Sequence, residues 1–143
     1  RTFSKAYGLA GLRIGYGIGE GSLVSFIERT KQPFSVNMLA LIAAKAALAD
    51  ENHLNMVLEN NRKGKAFLYD SLQTLGLDLV PSEANFILAK VGPDAEAVTK
   101  RLFEKKIVIR WLGGYGLREY VRVTVGTMNE NKRLIEGLKR LVG

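Results

Sequence analysis

The sequence of 143 residues contains no cysteine and a single histidine, His53. Without thiols there are no disulfides and no thiolate metal ligands, and one imidazole makes a histidine metal cluster or a serine–histidine triad implausible. No bound metal is expected, and His53 reads as a helix-surface residue. No apolar run approaches the ~20 residues of a membrane helix. The opening Arg1-Thr2-Phe3-Ser4-Lys5 also lacks the apolar stretch of a secretion signal. No membrane partner and a cytoplasmic location are expected. What the chain does have is 47% hydrophobic residues, enough for a buried core, which speaks against a disordered or fibrous chain.

The formal charge is +7, a balance that nucleic-acid-binding surfaces share. Its distribution argues against that partner. Asn129-Glu130-Asn131-Lys132-Arg133 and Glu136-Gly137-Leu138-Lys139-Arg140 mix both signs, as solvated helix faces do. An excess of cations also suits small phosphate and carboxylate ligands. Glycines at 15, 17, 19 and 21 suggest a dinucleotide loop, but Glu20 stands where the G-x-G-x-x-G pattern from Gly15 needs glycine.

Alternating large and small residues predict a buried strand over Ile14–Gly19, with glycines where other backbone comes close. A helix follows from Ser22 to Thr30, with Leu23, Phe26 and Ile27 at helical spacing, and stops ahead of Pro33. Ser35 or Asn37 can cap the next helix, Met38 to Ala49, which is apolar almost all round and so expected to be buried. A third, Glu51 to Leu75, sets Val57, Gly64, Leu68, Leu72 and Leu75 on one side and ends at Gly76. It is read as the bridge between two domains, 1–50 and 51–143. Strands are expected at Leu77–Val80 and Asn85–Ala89, then a helix from Asp94 to Lys105. Two further strands, Ile107–Arg110 and Tyr120–Val125, flank a loop over Trp111–Arg118. Thr127 or Asn129 can cap a final helix with Leu134, Leu138 and Leu141 inward. Along Val121-Arg122-Val123-Thr124-Val125, alternation places Arg122 and Thr124 opposite the three valines. The class is α/β.

The segment Thr2-Phe3-Ser4-Lys5-Ala6-Tyr7-Gly8-Leu9-Ala10-Gly11-Leu12-Arg13-Ile14-Gly15-Tyr16 sets an amine and a guanidinium eight residues apart. A lysine that gives up its proton through burial or nearby cations suits Schiff-base chemistry with a carbonyl. Guanidinium offers a planar fork to phosphate, and the Thr2 and Ser4 hydroxyls add neutral donors. A phosphorylated aldehyde fits that set, although the residue types alone describe two solvated surface charges equally well. Order and identity go further. The segment closely resembles the pyridoxal-phosphate lysine segment of fold-type I aminotransferases, class I/II, and within them the histidinol-phosphate aminotransferase family. The resemblance continues through Ser82–Ile87, Ile107–Arg110 and Val121–Thr127 and covers nearly the whole chain. Tyr7 stands where many relatives carry phenylalanine.

The resemblance implies pyridoxal 5'-phosphate as cofactor, attached to Lys5 and held at its phosphate by Arg13, Thr2 and Ser4. It assigns Arg122 to the amino donor's carboxylate or the phosphate of histidinol phosphate, with Arg110 assisting and Asn85 a candidate polar group on the substrate side. The implied fold is the end of a large cofactor domain plus a small α/β domain. In relatives the ring-stacking aromatic, the aspartate on the pyridine nitrogen, and an asparagine and tyrosine near the ring oxygen all precede the lysine. The chain is therefore expected to be the C-terminal part of a homodimeric enzyme and inactive in isolation. The implied reaction is amino transfer between histidinol phosphate and 2-oxoglutarate in histidine biosynthesis. Alternatives are an aromatic or broad-specificity aminotransferase or a phosphothreonine-type decarboxylase of the same fold. From another class, the alternative is a non-catalytic anion-binding or interaction domain.

Overall fold

A computed structural model describes residues 1–142, and the chain divides into two compact units, Arg1–Leu58 and Glu59–Gly143. In the first unit, α1 (Gly21–Thr30) ends ahead of Pro33, and α2 (Met38–Ala49) begins at Asn37. The Asn37 side-chain oxygen accepts the Ala40 N–H at 2.8 Å, so of the two capping candidates it is the one that satisfies a free helix-start donor. The buried cluster is small: Phe3, Ile14, Ala40 and Ala44, with Tyr7, Leu9, Leu12 and Val36 packed against it.

Two expectations for this unit fail. The strand over Ile14–Gly19 does not form; among the described residues its pairing is a single antiparallel bridge, Thr2↔Gly15. Gly17 and Gly19 offer no side chain to pack and Ile18 is exposed, so beyond Ile14 the segment has nothing to bury. The all-round burial of α2 fails as well. Only Ala40 and Ala44 are buried, while Leu39, Leu41, Ile42 and Leu48 are exposed. Small alanines form the contact stripe, and no described element of this unit covers the leucine side. Leu23, Phe26 and Ile27 of α1 are exposed too.

The helix α3 (Glu51–Thr74) runs through the division between the units. It ends as expected at Gly76, whose φ of +76° lets the Leu77 N–H turn back to the Leu72 carbonyl at 3.2 Å. The second unit carries a four-stranded antiparallel sheet of β1 (Asp78–Val80), β2 (Phe86–Lys90), β3 (Arg110–Leu112) and β4 (Leu117–Thr124), in the order β1-β2-β4-β3. Helix α4 (Ala95–Glu104) links β2 to β3, and α5 (Met128–Val142) follows β4. One core forms where Ile87, Ala89, Val121 and Val123 meet Leu68 and Leu72 of α3, Val98 and Leu102 of α4, and Leu134 and Leu138 of α5. Each fully buried leucine there contributes about 1.5–3 kcal/mol. Gly64 is required by this packing, because a Cβ would lie 2.7 Å from Val125 Cγ1 and 2.8 Å from Asn131 Nδ2.

The strand expected at Ile107–Arg110 is displaced. Residues 107–109 run alongside without pairing, with Ile109 turned into the core and Val108 exposed, and the ladder begins only at Arg110. The expected 111–118 loop is instead a tight β3–β4 hairpin. A 3-10 turn at Gly113–Tyr115 and Gly116 at φ +80° reverse the chain, and Trp111 donates its indole N–H to the Arg118 carbonyl at 2.7 Å. The indole fills the space beside Gly113, leaving no room for a Cβ.

At the end of α4, Lys106 donates to Phe103 O (2.9 Å) and Ile107 to Leu102 O (2.9 Å), a motif that puts Lys106 at φ +61° where glycine is favoured. The left-handed conformation costs a non-glycine residue roughly 1–2 kcal/mol, part of which glycine's freer unfolded chain takes back. Lys106→Gly is expected to raise unfolding free energy by about 0.5–1 kcal/mol, measured by urea titration; an unchanged or lowered midpoint would contradict it.

At the start of α5, Thr127 and Glu130 cap each other. The Glu130 carboxylate accepts the Thr127 N–H at 2.7 Å and its hydroxyl at 2.8 Å, and the Thr127 hydroxyl accepts the Glu130 N–H at 3.4 Å. Those donors, the backbone N–H first, hold the Glu130 pKa below its ordinary 4.5. A depressed carboxyl pKa contributes stability that is present above the unfolded value and lost as pH falls through the folded one. Glu130→Gln is therefore expected to lower Tm at pH 7, with the gap to the parent protein closing as pH drops from 5 toward 3.

Candidate functional site

The chain from Arg1 to Tyr16 folds back on itself. Arg1 O accepts the Tyr16 N–H at 2.9 Å, Phe3 N–H reaches Ile14 O at 3.2 Å, and Leu9 N–H reaches Phe3 O at 2.9 Å. Phe3 is buried and packs on Tyr7 and Tyr16, with ring centroids 5.0 and 5.8 Å away. Gly15 makes the close approach possible, since a Cβ there would sit 2.7 Å from Arg1 O. Gly8, at φ +71°, makes the turn after Lys5, closing onto the Lys5 carbonyl at 2.9 Å.

This staple at Phe3 and Ile14 fixes where the two charged residues leave the backbone. Lys5 follows Phe3 by two positions and Arg13 precedes Ile14 by one, and both side chains are exposed in this chain. Arg13 adopts a left-handed φ of 53° and its Nη1 donates to Ala10 O at 2.7 Å. That bond takes one of five guanidinium N–H donors and leaves the rest. Thr2 Oγ1 accepts the Ser4 N–H at 3.1 Å, which keeps its own hydroxyl proton available. One short loop thus carries an accessible amine, a guanidinium and two hydroxyls, a donor set suited to a phosphate and a carbonyl.

The second unit builds a different array. Register pairs Arg110 on β3 directly with Arg122 on β4, and Arg122 directly with Leu88 on β2, so the two arginines lie abreast on the face opposite the core. Neither is in an ion pair among the described residues; the carboxylates that are paired engage Arg62, Lys63, Lys65, Lys90 and Lys100 instead. Arg122 Nε is buried without a partner, and the guanidinium carbon lies 5.3 Å from the centre of the Phe86 ring. Asn85 is exposed just ahead of β2, with its carbonyl accepting the Val125 N–H at 2.9 Å.

Sequence reasoning named both arginines but not their mutual register, nor Phe86. The alternation that put Arg122 opposite the valines was legible. Which residue of β2 or β3 stands beside it was not, because pairing between strands far apart in the chain leaves no local pattern.

Comparison with known proteins closes the question of kinship. Over all 143 residues the chain is 45% identical to the histidinol-phosphate aminotransferase of Symbiobacterium thermophilum, covering 40% of that protein. The fold matches the crystal structure of histidinol-phosphate aminotransferase from Sinorhizobium meliloti in complex with pyridoxal-5'-phosphate, with a TM-score of 0.87, 32% identity, 99% of this chain and 40% of that one. It also matches L-threonine-O-3-phosphate decarboxylase from Porphyromonas gingivalis, with a TM-score of 0.81, 29% identity, 99% of this chain and 45% of that one. The chain spans about two fifths of the length of the relatives it matches. The family model for aminotransferases of class I and II matches residues 1–138, and the chain belongs to that family.

Proposed function

We propose that the chain is the C-terminal part of a pyridoxal-phosphate-dependent aminotransferase that exchanges an amino group between histidinol phosphate and 2-oxoglutarate in histidine biosynthesis. The observation that carries the substrate reading is the unneutralised pair Arg110↔Arg122. Two guanidinium groups directly opposite one another on a sheet face repel, and a dianionic phosphate relieves that repulsion through charge-assisted bidentate bonds. Sequence supports the same substrate, since the Symbiobacterium relative at 45% identity carries that name.

The donor set of the first unit fits the cofactor. Lys5 Nζ is accessible for covalent attachment to an aldehyde, and Arg13 with the Thr2 and Ser4 hydroxyls provides donors for its phosphate. Once bound, the pyridine ring acts as the electron sink of the reaction. Lys5 would hold the cofactor covalently and, once displaced by the substrate amine, would move a proton at the substrate carbon. Arg13, whose planar fork matches phosphate, would keep the phosphate anchored while Lys5 is released. Arg122 and Arg110 select substrates by their anionic ends, and Asn85 adds a neutral donor and acceptor at the margin. The full-length enzyme is proposed to be a cytoplasmic homodimer.

A second reading, decarboxylation of a phosphorylated amino acid on the same scaffold, is favoured by the likeness to the Porphyromonas decarboxylase. Release of carbon dioxide in place of a new amino acid would select it.

Incubating the full-length protein with pyridoxal phosphate and reducing with borohydride is expected to label Lys5 alone, with Lys5→Ala losing both the label and turnover. Scattered labelling of many lysines would instead support a non-catalytic anion-binding role. In the full-length enzyme, Arg110→Lys is expected to raise KM for histidinol phosphate at least tenfold more than KM for glutamate, because lysine cannot reproduce a bidentate grip worth about 1.5–3 kcal/mol. Equal changes for both substrates would remove the phosphate role from Arg110.

A further inference from the structure

We infer that Phe86 is a positioning residue for the Arg122 anion fork, its ring fixing the guanidinium while leaving the N–H edge open to substrate. The inference rests on the reading of Arg122 given above. Arg122 needs something to hold it. Its direct neighbour on β3 is another arginine, which repels it, and among the described residues no carboxylate pairs with it. A free arginine in that position would swing toward solvent, yet Nε is buried without a hydrogen-bond partner.

What stands beside it is Phe86. Register pairs Phe86 with Thr124 and Leu88 with Arg122, so Phe86 is the diagonal neighbour of Arg122 on the same face. The guanidinium carbon sits 5.3 Å from the ring centre, inside the ~6 Å range of a cation–π contact.

The kind of contact matters for recognition. A carboxylate holding Arg122 would occupy the in-plane N–H groups that a substrate anion must use, and the two would compete. An aromatic ring engages the flat face of the guanidinium and leaves the N–H edge free for a bidentate anion. The half-buried ring also limits water around the buried Nε, which strengthens charge-assisted bonds made at the opposite edge.

The test replaces Phe86 in the full-length holoenzyme with mono-, di- and trifluorinated phenylalanine, which keeps the ring's shape while draining its negative face. The dissociation constant for inorganic phosphate is read by isothermal titration calorimetry in every variant, and KM and kcat are measured for histidinol phosphate and glutamate. Phosphate dissociation constant and KM are expected to climb stepwise with fluorination, by about 2- to 30-fold across the series, with kcat nearly constant and Phe86→Tyr close to the parent enzyme. Arg122→Lys is the control. If that variant weakens phosphate binding while fluorination leaves it unmoved, the role of Phe86 is overturned and that of Arg122 stands. If Arg122→Lys changes neither binding nor KM, the anion-fork reading falls and the Phe86 inference falls with it.

Discussion

Antiparallel register between β4 and its two neighbours is the constraint on which the second unit depends. Because side chains alternate across a strand, one pairing decides both faces at once. With Val121 opposite Trp111 and Ala89, and Val123 opposite Ile87, the apolar parity of all three strands faces the helices. The same pairing forces Arg122 abreast of Arg110 and Leu88 on the other side. A slip of one residue would bury a guanidinium in the core and expose the valines, so the packing that holds the fold also guarantees that the arginines stand together. The fold and the placement of the arginine pair are coupled by geometry here, without any need for the arginines to stabilise the fold.

The first unit solves a different problem with fewer buried atoms. Its core amounts to Phe3, Ile14, Ala40 and Ala44 with a few half-buried neighbours, and the loop that carries Lys5 and Arg13 is held chiefly by backbone hydrogen bonds between residues 1–3 and 14–16. Glycine at 15 is what lets those backbones meet, and glycine at 8 is what turns the chain after the lysine. The apolar sides of α1 and α2 remain exposed within this unit. Composition predicted the burial of α2, but composition measures how apolar a helix is and not whether an element exists to cover it.

Helix ends were the most readable features. Asn37, the Thr127/Glu130 box and Gly76 act through neighbours three to five residues away, so their chemistry is written locally in the chain. Strand limits were less readable. The apolar Ile107-Val108-Ile109 has the composition of a strand, yet the left-handed Lys106 and the burial of Ile109 send it past β4 unpaired, and the ladder starts at Arg110.

The amino-acid sequence by itself determined which groups the protein can use: one amine and one guanidinium on a glycine-broken loop, two arginines at strand positions, no thiol, and one imidazole. It also narrowed the N-caps of α2 and α5 to two nearby candidates each and set the parity of β4, because these depend on residues close together in the chain. Only the tertiary structure decided that Arg110 and Arg122 are direct partners, that Phe86 lies against the guanidinium, and that Gly15 and Gly64 sit where another group leaves no room for a side chain. Those relations join residues 12 to 67 positions apart. They exist only once register and packing are fixed, and no local periodicity encodes them.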